Sequence, residues 1–233
     1  MTVPKLKGLL FDKDGTLFDY QKTWGSFTLG FVEGLAAGDA DLAIRLARAI
    51  GVNPETAQFS PDSPIVAGTP EEAIAPLLPL LPGWSLAALT DHINTAAARA
   101  PQVPAADLGP LVEALRANGH TLGIATNDAE AAALAHVESA GLQGQFAFLA
   151  GYDSGHGAKP SPGMCLAFAS AVGIAPQACA MIGDSLHDLA AGRAAGMFCI
   201  AVCTGVTPPE ELAPHADLLL PDIGHLPQFL PTP

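Results

Sequence analysis

Short apolar runs alternate with helical segments from position 107 onward, and this alternation constrains the fold more than any other feature. The apolar runs, with one more near the start of the chain, predict strands over 6–11, 121–125, 146–149, 178–182 and 198–202. The intervening segments predict helices over 108–117, 129–140, 161–172 and 186–195. Strands that alternate with helices form a parallel sheet with helices on both faces. We therefore predict an α/β fold, a doubly wound Rossmann-like parallel sheet.

Positions 17–101 differ from the rest because they carry helical patterns and no convincing strand. Thr69 and Glu72 have the spacing of a capping box, and Ser85 can cap an alanine-rich helix that follows it. We expect a helical insertion in the sheet-forming core. The predicted boundaries are 1–16 and 102–233 for the core and 17–101 for the insertion.

The charge balance of the chain is acidic. Its 233 residues include 10 Lys and Arg against 23 Asp and Glu, a formal net charge of −13. Proteins that bind nucleic acids make several Lys or Arg contacts to phosphates at once, and the few basic residues here form no run. The sequence therefore predicts no nucleic-acid partner, and very few cationic groups are left to meet any anionic ligand.

No segment is expected to enter a membrane or to serve as a signal peptide. The longest run without a charged residue, 160–183, is interrupted by Pro162, Gly163, Gly173 and Pro176. The first apolar run is too short for a signal-peptide core. The four cysteines show no C-x-x-C spacing, which favours reduced, mostly buried thiols. We expect a cytoplasmic protein.

Two carboxylates follow the first predicted strand, in the string DKDGT. Asp12 and Asp14 stand two positions apart, and Gly15 allows a sharp turn after them. A calcium loop that began at Asp12 would need glycine at position 17 and glutamate at position 23, where the chain has Leu17 and Thr23. The calcium loop is therefore excluded. Because ligands of open parallel sheets bind beyond the carboxyl ends of the strands, these carboxylates mark a candidate site.

Neutral and basic groups follow the next strands. Thr126 and Asn127 either cap the next helix or donate hydrogen bonds to an oxyanion. Lys159 is the only Lys or Arg between Arg116 and Arg193. A lysine in a loop before a helix is either a solvated surface residue or a point charge for a phosphate group.

Two further carboxylates follow the strand predicted over 178–182. Asp184 stands at the strand end, and Asp188 is expected on the first turn of the next helix, where a carboxylate also complements the helix dipole. Carboxylate oxygens suit Mg²⁺, which takes one or two carboxylates together with substrate phosphate oxygens. Carboxylates, a hydroxyl, an amide and a lysine at one sheet edge are the groups that phosphoryl transfer requires.

These strings, in this order, resemble the motifs of the haloacid dehalogenase (HAD) superfamily of phosphohydrolases, in particular its phosphoglycolate phosphatase-like members. The matching strings are FDKDGTLFD at 11–19, ATN at 125–127, KPSPGMCLAF at 159–168 and IGDSLHDLAAGRAAGM at 182–197. The helical insertion stands where the family places its helical cap domain. The resemblance implies hydrolysis of a small, phosphoglycolate-like phosphomonoester, with a small phosphorylated metabolite as partner and a monomer or small homo-oligomer as the assembly.

The resemblance also implies roles for single residues. Asp12 would be the nucleophile that forms an aspartyl-phosphate, and Asp14 the general acid and then the general base. The groups that would hold the phosphoryl oxygens are Thr126, Asn127 and Lys159. The groups that would ligate Mg²⁺ are Asp12, Asp184 and the main-chain carbonyl of Asp14, with Asp188 supporting the metal or Lys159. The dehalogenases of the family lack a second aspartate at position 14, so the resemblance disfavours that activity.

Two other enzyme classes remain as alternatives. A phosphomutase would use the same core, but the basic residues of the insertion form no second phosphate-binding cluster; they are Lys22, Arg45, Arg48 and Arg99. A serine esterase is suggested by the GDSL string at 183–186 with Asp222 and His225. Its order and spacing fail, because that string comes early in the GDSL esterases. The remaining histidines are interpreted as surface or loop residues, with His156 and His187 among them.

Overall fold

The computed structural model describes residues 3–60 and 62–230, and one six-stranded sheet lies at its centre. The strands are β1 Gly8–Phe11, β2 Thr121–Ala125, β3 Phe148–Ala150, β4 Cys179–Gly183, β5 Phe198–Val202 and β6 Leu218–Leu220. They pair in parallel in the order β3-β2-β1-β4-β5-β6. The predicted doubly wound parallel sheet is confirmed.

The strand order changes direction at β1. The chain proceeds from β1 to β2 and β3 on one side, and β4 then pairs with the other side of β1, with Phe11 opposite Ile182. Ligands of open α/β sheets bind beyond the carboxyl ends at such a switch point. Asp12 follows β1 and Asp184 follows β4, so the topology makes these two carboxylates neighbours.

The helices of the described residues are α1 Tyr20–Ala36, α2 Ala40–Ala49, α3 Pro64–Ala67, α4 Pro70–Ile74, α5 Leu86–Ala97, α6 Leu108–Ala117, α7 Glu130–Ser139, α8 Gly163–Val172, α9 Leu186–Ala195, α10 Pro209–Leu212 and α11 Leu226–Phe229. Those from α6 onward pack against the sheet, whereas α1–α5 pack with one another. Side chains alternate between the faces of a strand. Accordingly, Leu9 and Phe11 of β1 are buried in one cluster with Leu115 of α6, and Leu10 is buried in another with Phe168 of α8.

The segment 20–97 is helical, as predicted, and buries its own apolar cluster, which includes Trp24, Leu46, Leu77 and Leu89. The capping box is confirmed, because Thr69 accepts a bond from the Glu72 amide and the Glu72 carboxylate accepts one from the Thr69 amide. Ser85 caps α5 through the amide of Ala88. The domain boundaries at 16/17 and 101/102 stay a prediction.

The remaining predictions concern two of the strands, the cysteines and the membrane segments. The predicted third strand starts two residues too early and ends one residue too early. The sequence indicates a last peripheral strand-and-helix region around Asp222 and His225 but no bounds for β6, because a three-residue edge strand carries no period of its own. The cysteines are free, and all but Cys203 are buried, as expected. Within the described part of the chain, none of the helices combines the length and apolar character needed to cross a membrane.

Candidate active site

Lys159 lies at the centre of a buried cluster at the carboxyl end of the sheet. Its Nζ donates to Asp12 Oδ1 at 2.7 Å, to Asp188 Oδ1 at 2.6 Å and to the main-chain oxygen of Ala125 at 2.9 Å. An ammonium group has three donors, and each has an acceptor here. The functional interpretation of Lys159 is therefore supported over a solvated one, since the residue is only 4% exposed.

Asn127 fixes the main chain at Lys159. Its Oδ1 accepts a bond from the Lys159 amide at 2.8 Å, and its Nδ2 donates to the Lys159 carbonyl oxygen at 2.9 Å. The alternative that Thr126 or Asn127 caps the next helix is wrong, because the N-cap of α7 is Ala129, and Thr126 Oγ1 accepts from the amide of Asp128. The predicted contacts of both residues with phosphoryl oxygens stay a prediction.

Three carboxylates converge beside Lys159. One oxygen each from Asp12, Asp184 and Asp188 lies within 4.8 Å of the others, and all three residues are buried. When all three are ionised, Lys159 neutralises one of the three negative charges. One divalent cation would neutralise the other two. Oxygen donors of this kind suit a hard cation such as Mg²⁺. The residues present therefore fit the predicted metal.

The electrostatics of the cluster show the same excess of negative charge. Burial, and then the charge of Asp188, raises the pKa of Asp12 to about 7 although Lys159 opposes the shift. Burial, followed by the charges of Asp12 and Asp188, raises the pKa of Asp184 well above its usual range. Burial alone would lower the pKa of Lys159, but its two carboxylate partners raise it above the usual value. Without a further cation, ionising all three carboxylates is costly.

Two glycines make room for the Asp184 carboxylate. Gly15 has a φ of 81°, and a Cβ on Gly15 or on Gly205 would overlap the carboxylate of Asp184. Thr16 donates to the same carboxylate at 3.1 Å. The carboxylate is thus confined by main chain on more than one side, which suits a small ion and not a bulky group.

Asp14 is held in a different way from the other carboxylates. Lys13 Nζ lies 2.6 Å from Asp14 Oδ2, and the indole nitrogen of Trp24 donates to Asp14 Oδ1 at 2.8 Å. The same ammonium pairs with Asp128 Oδ2 at 3.1 Å and contacts His136 Nδ1 at 3.1 Å. Lys13 is fully buried and is a site residue that the sequence does not predict. Its position between two aspartates is the one local signal that could have indicated it.

The interpretation of the histidines as surface or loop residues is wrong for His136, which lies within α7 and is 1% exposed. His120 lies in the loop between α6 and β2, as expected, although it is only 4% exposed. His136 Nε2 lies 2.9 Å from the carbonyl oxygen of Ala97, the last residue of α5. Burial and then the charge of Lys13 lower the pKa of His136. His136 thus connects the buried lysine beside Asp14 to the helical segment.

A pocket opens over these groups, between the sheet edge and the helical segment. Its floor includes five of the seven predicted site residues, which are Asp12, Asp14, Thr126, Asn127 and Lys159. The other two, Asp184 and Asp188, are buried and do not line it. A substrate in this pocket would therefore contact the predicted nucleophile, while the remaining carboxylates stay covered.

With this geometry established, the comparisons with known proteins identify the family. Residues 6–196 match the family model described as haloacid dehalogenase-like hydrolase. The chain belongs to this family. The match includes the predicted site residues and the helical segment.

The curated relatives of this HAD-like chain match only about half of its length. A phosphoglycolate phosphatase from Chromobacterium violaceum is 39% identical over 112 residues, which are 48% of this chain and 50% of that protein. The chain thus spans about half the length of the curated relatives it matches. CbbY from Rhodobacter sphaeroides, solved with phosphate, superposes with a TM-score of 0.70 at 22% identity, covering 95% of this chain and 96% of that one. A protein from Thermotoga maritima, assigned as a beta-phosphoglucomutase, has a TM-score of 0.67 at 17% identity, covering 95% and 96%. These two structures show a shared fold.

The serine-esterase alternative does not fit a HAD-like chain, and the geometry also opposes it. The Ser185 hydroxyl donates to Asp188 Oδ2 at 2.6 Å and accepts from the Asp188 amide, so this serine forms a capping box at the start of α9. His225 pairs with Asp222 at 3.0 Å. Among the described residues, no hydrogen bond joins Ser185 to His225, which a catalytic triad would require.

Proposed function

We propose that this chain is a Mg²⁺-dependent phosphatase that hydrolyses a small phosphomonoester through an aspartyl-phosphate intermediate. The observation that carries the proposal is the position of Asp12, which lines the pocket, bonds to Lys159 and belongs to the carboxylate cluster with Asp184. The names of the curated relatives make phosphoglycolate the reference substrate. We further propose that 1–16 and 102–233 form the catalytic core, that 17–101 forms a cap, and that the enzyme is cytoplasmic.

Asp12 performs the first displacement. Its carboxylate oxygen forms a bond to phosphorus while the bond from phosphorus to the alcohol oxygen breaks, and Asp14 gives its proton to the departing oxygen. In the second step Asp14 takes a proton from water. The oxygen of that water bonds to phosphorus, the bond to Asp12 breaks, and inorganic phosphate leaves. Splitting one displacement into two is the advantage of a carboxylate nucleophile.

The residues around Asp12 stabilise the transferred group. Lys159 offers positive charge and Thr126 a hydroxyl to the phosphoryl oxygens, while Asn127 holds the main chain of Lys159. Asp12, Asp184 and the main-chain carbonyl of Asp14 would hold the metal, with Asp188 in support. A bound Mg²⁺ would neutralise negative charge on the phosphoryl oxygens.

The test is the release of inorganic phosphate from a panel of phosphate esters, with and without Mg²⁺. We expect metal-dependent turnover, and we expect Asp12→Asn to lower kcat by roughly 10⁴-fold or more. Asp41→Asn is the matched control, because Asp41 is exposed in the helical segment. Turnover that is unaffected by a chelator, or by Asp12→Asn, would refute the mechanism.

The same panel distinguishes the phosphomutase alternative, which would use the same core. A hydrolase releases one phosphate for each ester consumed. A mutase would isomerise a sugar phosphate without releasing phosphate, and that result would replace the proposed hydrolase with the mutase.

A further inference from the structure

The walls of the pocket differ in chemistry from its floor. The walls come from the helical segment and include the apolar side chains of Phe27, Phe31, Ile65, Val66, Ile74 and Ile93. The space between these walls is about 880 Å³ when the open solvent at its mouth is included. Apolar surface of this kind is stabilised when a ligand removes it from water.

Three aromatic side chains of α1 form a row, and the first of them contacts Asp14, the proposed general acid. Trp24 donates to Asp14 and packs edge-on against Phe27, with ring centres 5.2 Å apart. Phe27 stacks on Phe31 at 6.2 Å. The three rings are spaced three and four residues apart and therefore share one face of the helix. A leaving group protonated by Asp14 would lie along this row of rings.

Cations are scarce around the pocket. Among the described residues that line it, Lys159 is the only Lys or Arg, and the one histidine is His187, in the first turn of α9. The basic residues of the predicted insertion 17–101, which are Lys22, Arg45, Arg48 and Arg99, are exposed and do not line the pocket. Asp12, Asp14 and Asp128 do line it. A carboxylate on the leaving group would thus meet apolar walls and acidic residues, and a buried charge without a partner is costly.

From these walls we infer that the substrate is a phosphomonoester of an uncharged, predominantly apolar alcohol, and not phosphoglycolate or a free sugar phosphate. The inference rests on the proposed function and narrows its substrate class. Neutral polar groups of the helical segment at the pocket, Thr28 and Asn94, leave room for a hydroxyl or amide in an otherwise apolar ligand.

The kinetic test compares kcat/KM for ethyl, butyl and hexyl phosphate with that for phosphoglycolate and glucose 6-phosphate, using the full chain with Mg²⁺. The alkyl alcohols are similar leaving groups, so a trend among them reports the pocket. We expect kcat/KM to rise about fourfold per methylene, and phosphoglycolate to lie at least tenfold below butyl phosphate. A kcat/KM for phosphoglycolate or glucose 6-phosphate equal to or above that for butyl phosphate would overturn the inference. That result would not contradict the proposed phosphatase activity.

Phe31→Ala tests the wall directly. It is expected to lower kcat/KM for hexyl phosphate about tenfold and to change that for ethyl phosphate less than twofold. Phe229→Ala is the control, because Phe229 is exposed and is not among the residues that line the pocket. This variant should change kcat/KM for neither ester. An equal loss on both esters, or no loss on either, would contradict the proposed wall.

A binding measurement separates failure of the inference from failure of the proposed function. Calorimetry of the Mg²⁺-loaded protein with hexylphosphonate and phosphonoacetate needs no turnover. If no ester is hydrolysed but hexylphosphonate binds at least tenfold more tightly, the phosphatase proposal fails and the ligand preference holds. If phosphonoacetate binds as tightly as hexylphosphonate or more tightly, the proposed ligand preference is wrong, whether or not any ester is hydrolysed.

Discussion

The indole nitrogen of Trp24 donates to Asp14 Oδ1 at 2.8 Å, while Lys13 contacts both oxygens of the same carboxylate. One donor comes from the first helix of the helical segment and the other from the turn after β1. The proposed acid and base of the reaction is therefore oriented by two parts of the chain at once. Its geometry depends on how the helical segment sits over the sheet.

Trp24→Phe should lower kcat by about tenfold or more while retaining an aromatic ring against Phe27. The variant loses the indole hydrogen bond to Asp14. A hydrogen bond to an ionised carboxylate, the form in which Asp14 would take a proton from water in the second step, contributes about 1.5–3 kcal/mol. Steady-state kinetics on the best ester of the panel measure the effect. Trp84→Phe is the control, because Trp84 packs against His92 and is not among the residues that line the pocket. An unchanged kcat for Trp24→Phe would show that the indole bond does not orient the acid.

Lys13→Met should destabilise the fold by about 3–5 kcal/mol, because Asp14 and Asp128 would lose their buried partner. Urea denaturation followed by circular dichroism gives the free energy of unfolding. Lys22→Met is the matched control; this lysine is exposed and, in the part of the chain that the structure describes, pairs only with Asp19, so its loss should cost less than about 1 kcal/mol. Similar losses for the two variants would mean that the buried pairs contribute no more than a surface pair.

The stability of the metal-free protein should depend on Asp12 in a defined pH window. The pKa of Asp12 is raised from 3.8 to about 7, so the folded state binds more protons than the unfolded state between these values. Stability from this group is then present at low pH and falls as pH rises through the window. The free energy of unfolding of the parent, minus that of Asp12→Asn, should decrease from pH 4 to pH 7 in the presence of a chelator. A difference that stays constant would contradict the raised pKa.

Mg²⁺ should stabilise the protein at neutral pH, by about 2.7 kcal/mol at one hundred times its Kd. Gly205→Ala should abolish most of the resulting rise in Tm, because the new methyl group would overlap the Asp184 carboxylate. Gly83→Ala is the control, since a Cβ there meets open space and no positive φ is involved. A full Mg²⁺ response in Gly205→Ala would place the metal away from Asp184.

The parts of the fold that sequence predicts well are those with a local cause. The central strands are buried apolar runs, and β2 and β5 are predicted to the residue. The carboxyl-end rule then brings Asp12, Lys159 and Asp184 together without any knowledge of side-chain contacts. Conversely, β6 is too short to carry a pattern of its own, and Lys13 contacts Asp128 and His136, which are far away in sequence. No local pattern reveals these features.

Asn127 shows the same limit at the level of a single side chain. Its residue type indicates a hydrogen-bonding group at a strand end, but not which group it bonds to. The contact with the main chain of Lys159 joins positions 127 and 159 across two elements. The buried lysine beside Asp14 is missed for a related reason: burial of a lysine requires several partners, and here they come from β1's turn, from the loop before α7 and from α7 itself.

The three acceptors around Lys159 leave its ammonium group with no unused proton. A phosphoryl oxygen can accept a bond from Lys159 only by displacing Asp12, Asp188 or the Ala125 carbonyl. In the proposed mechanism, phosphate binding would therefore be an exchange of partners, and its free energy would be a difference between two similar contacts. Such an exchange would favour weak retention of the inorganic product, and the ammonium group of Lys159 would return to Asp12 and Asp188 when the product leaves.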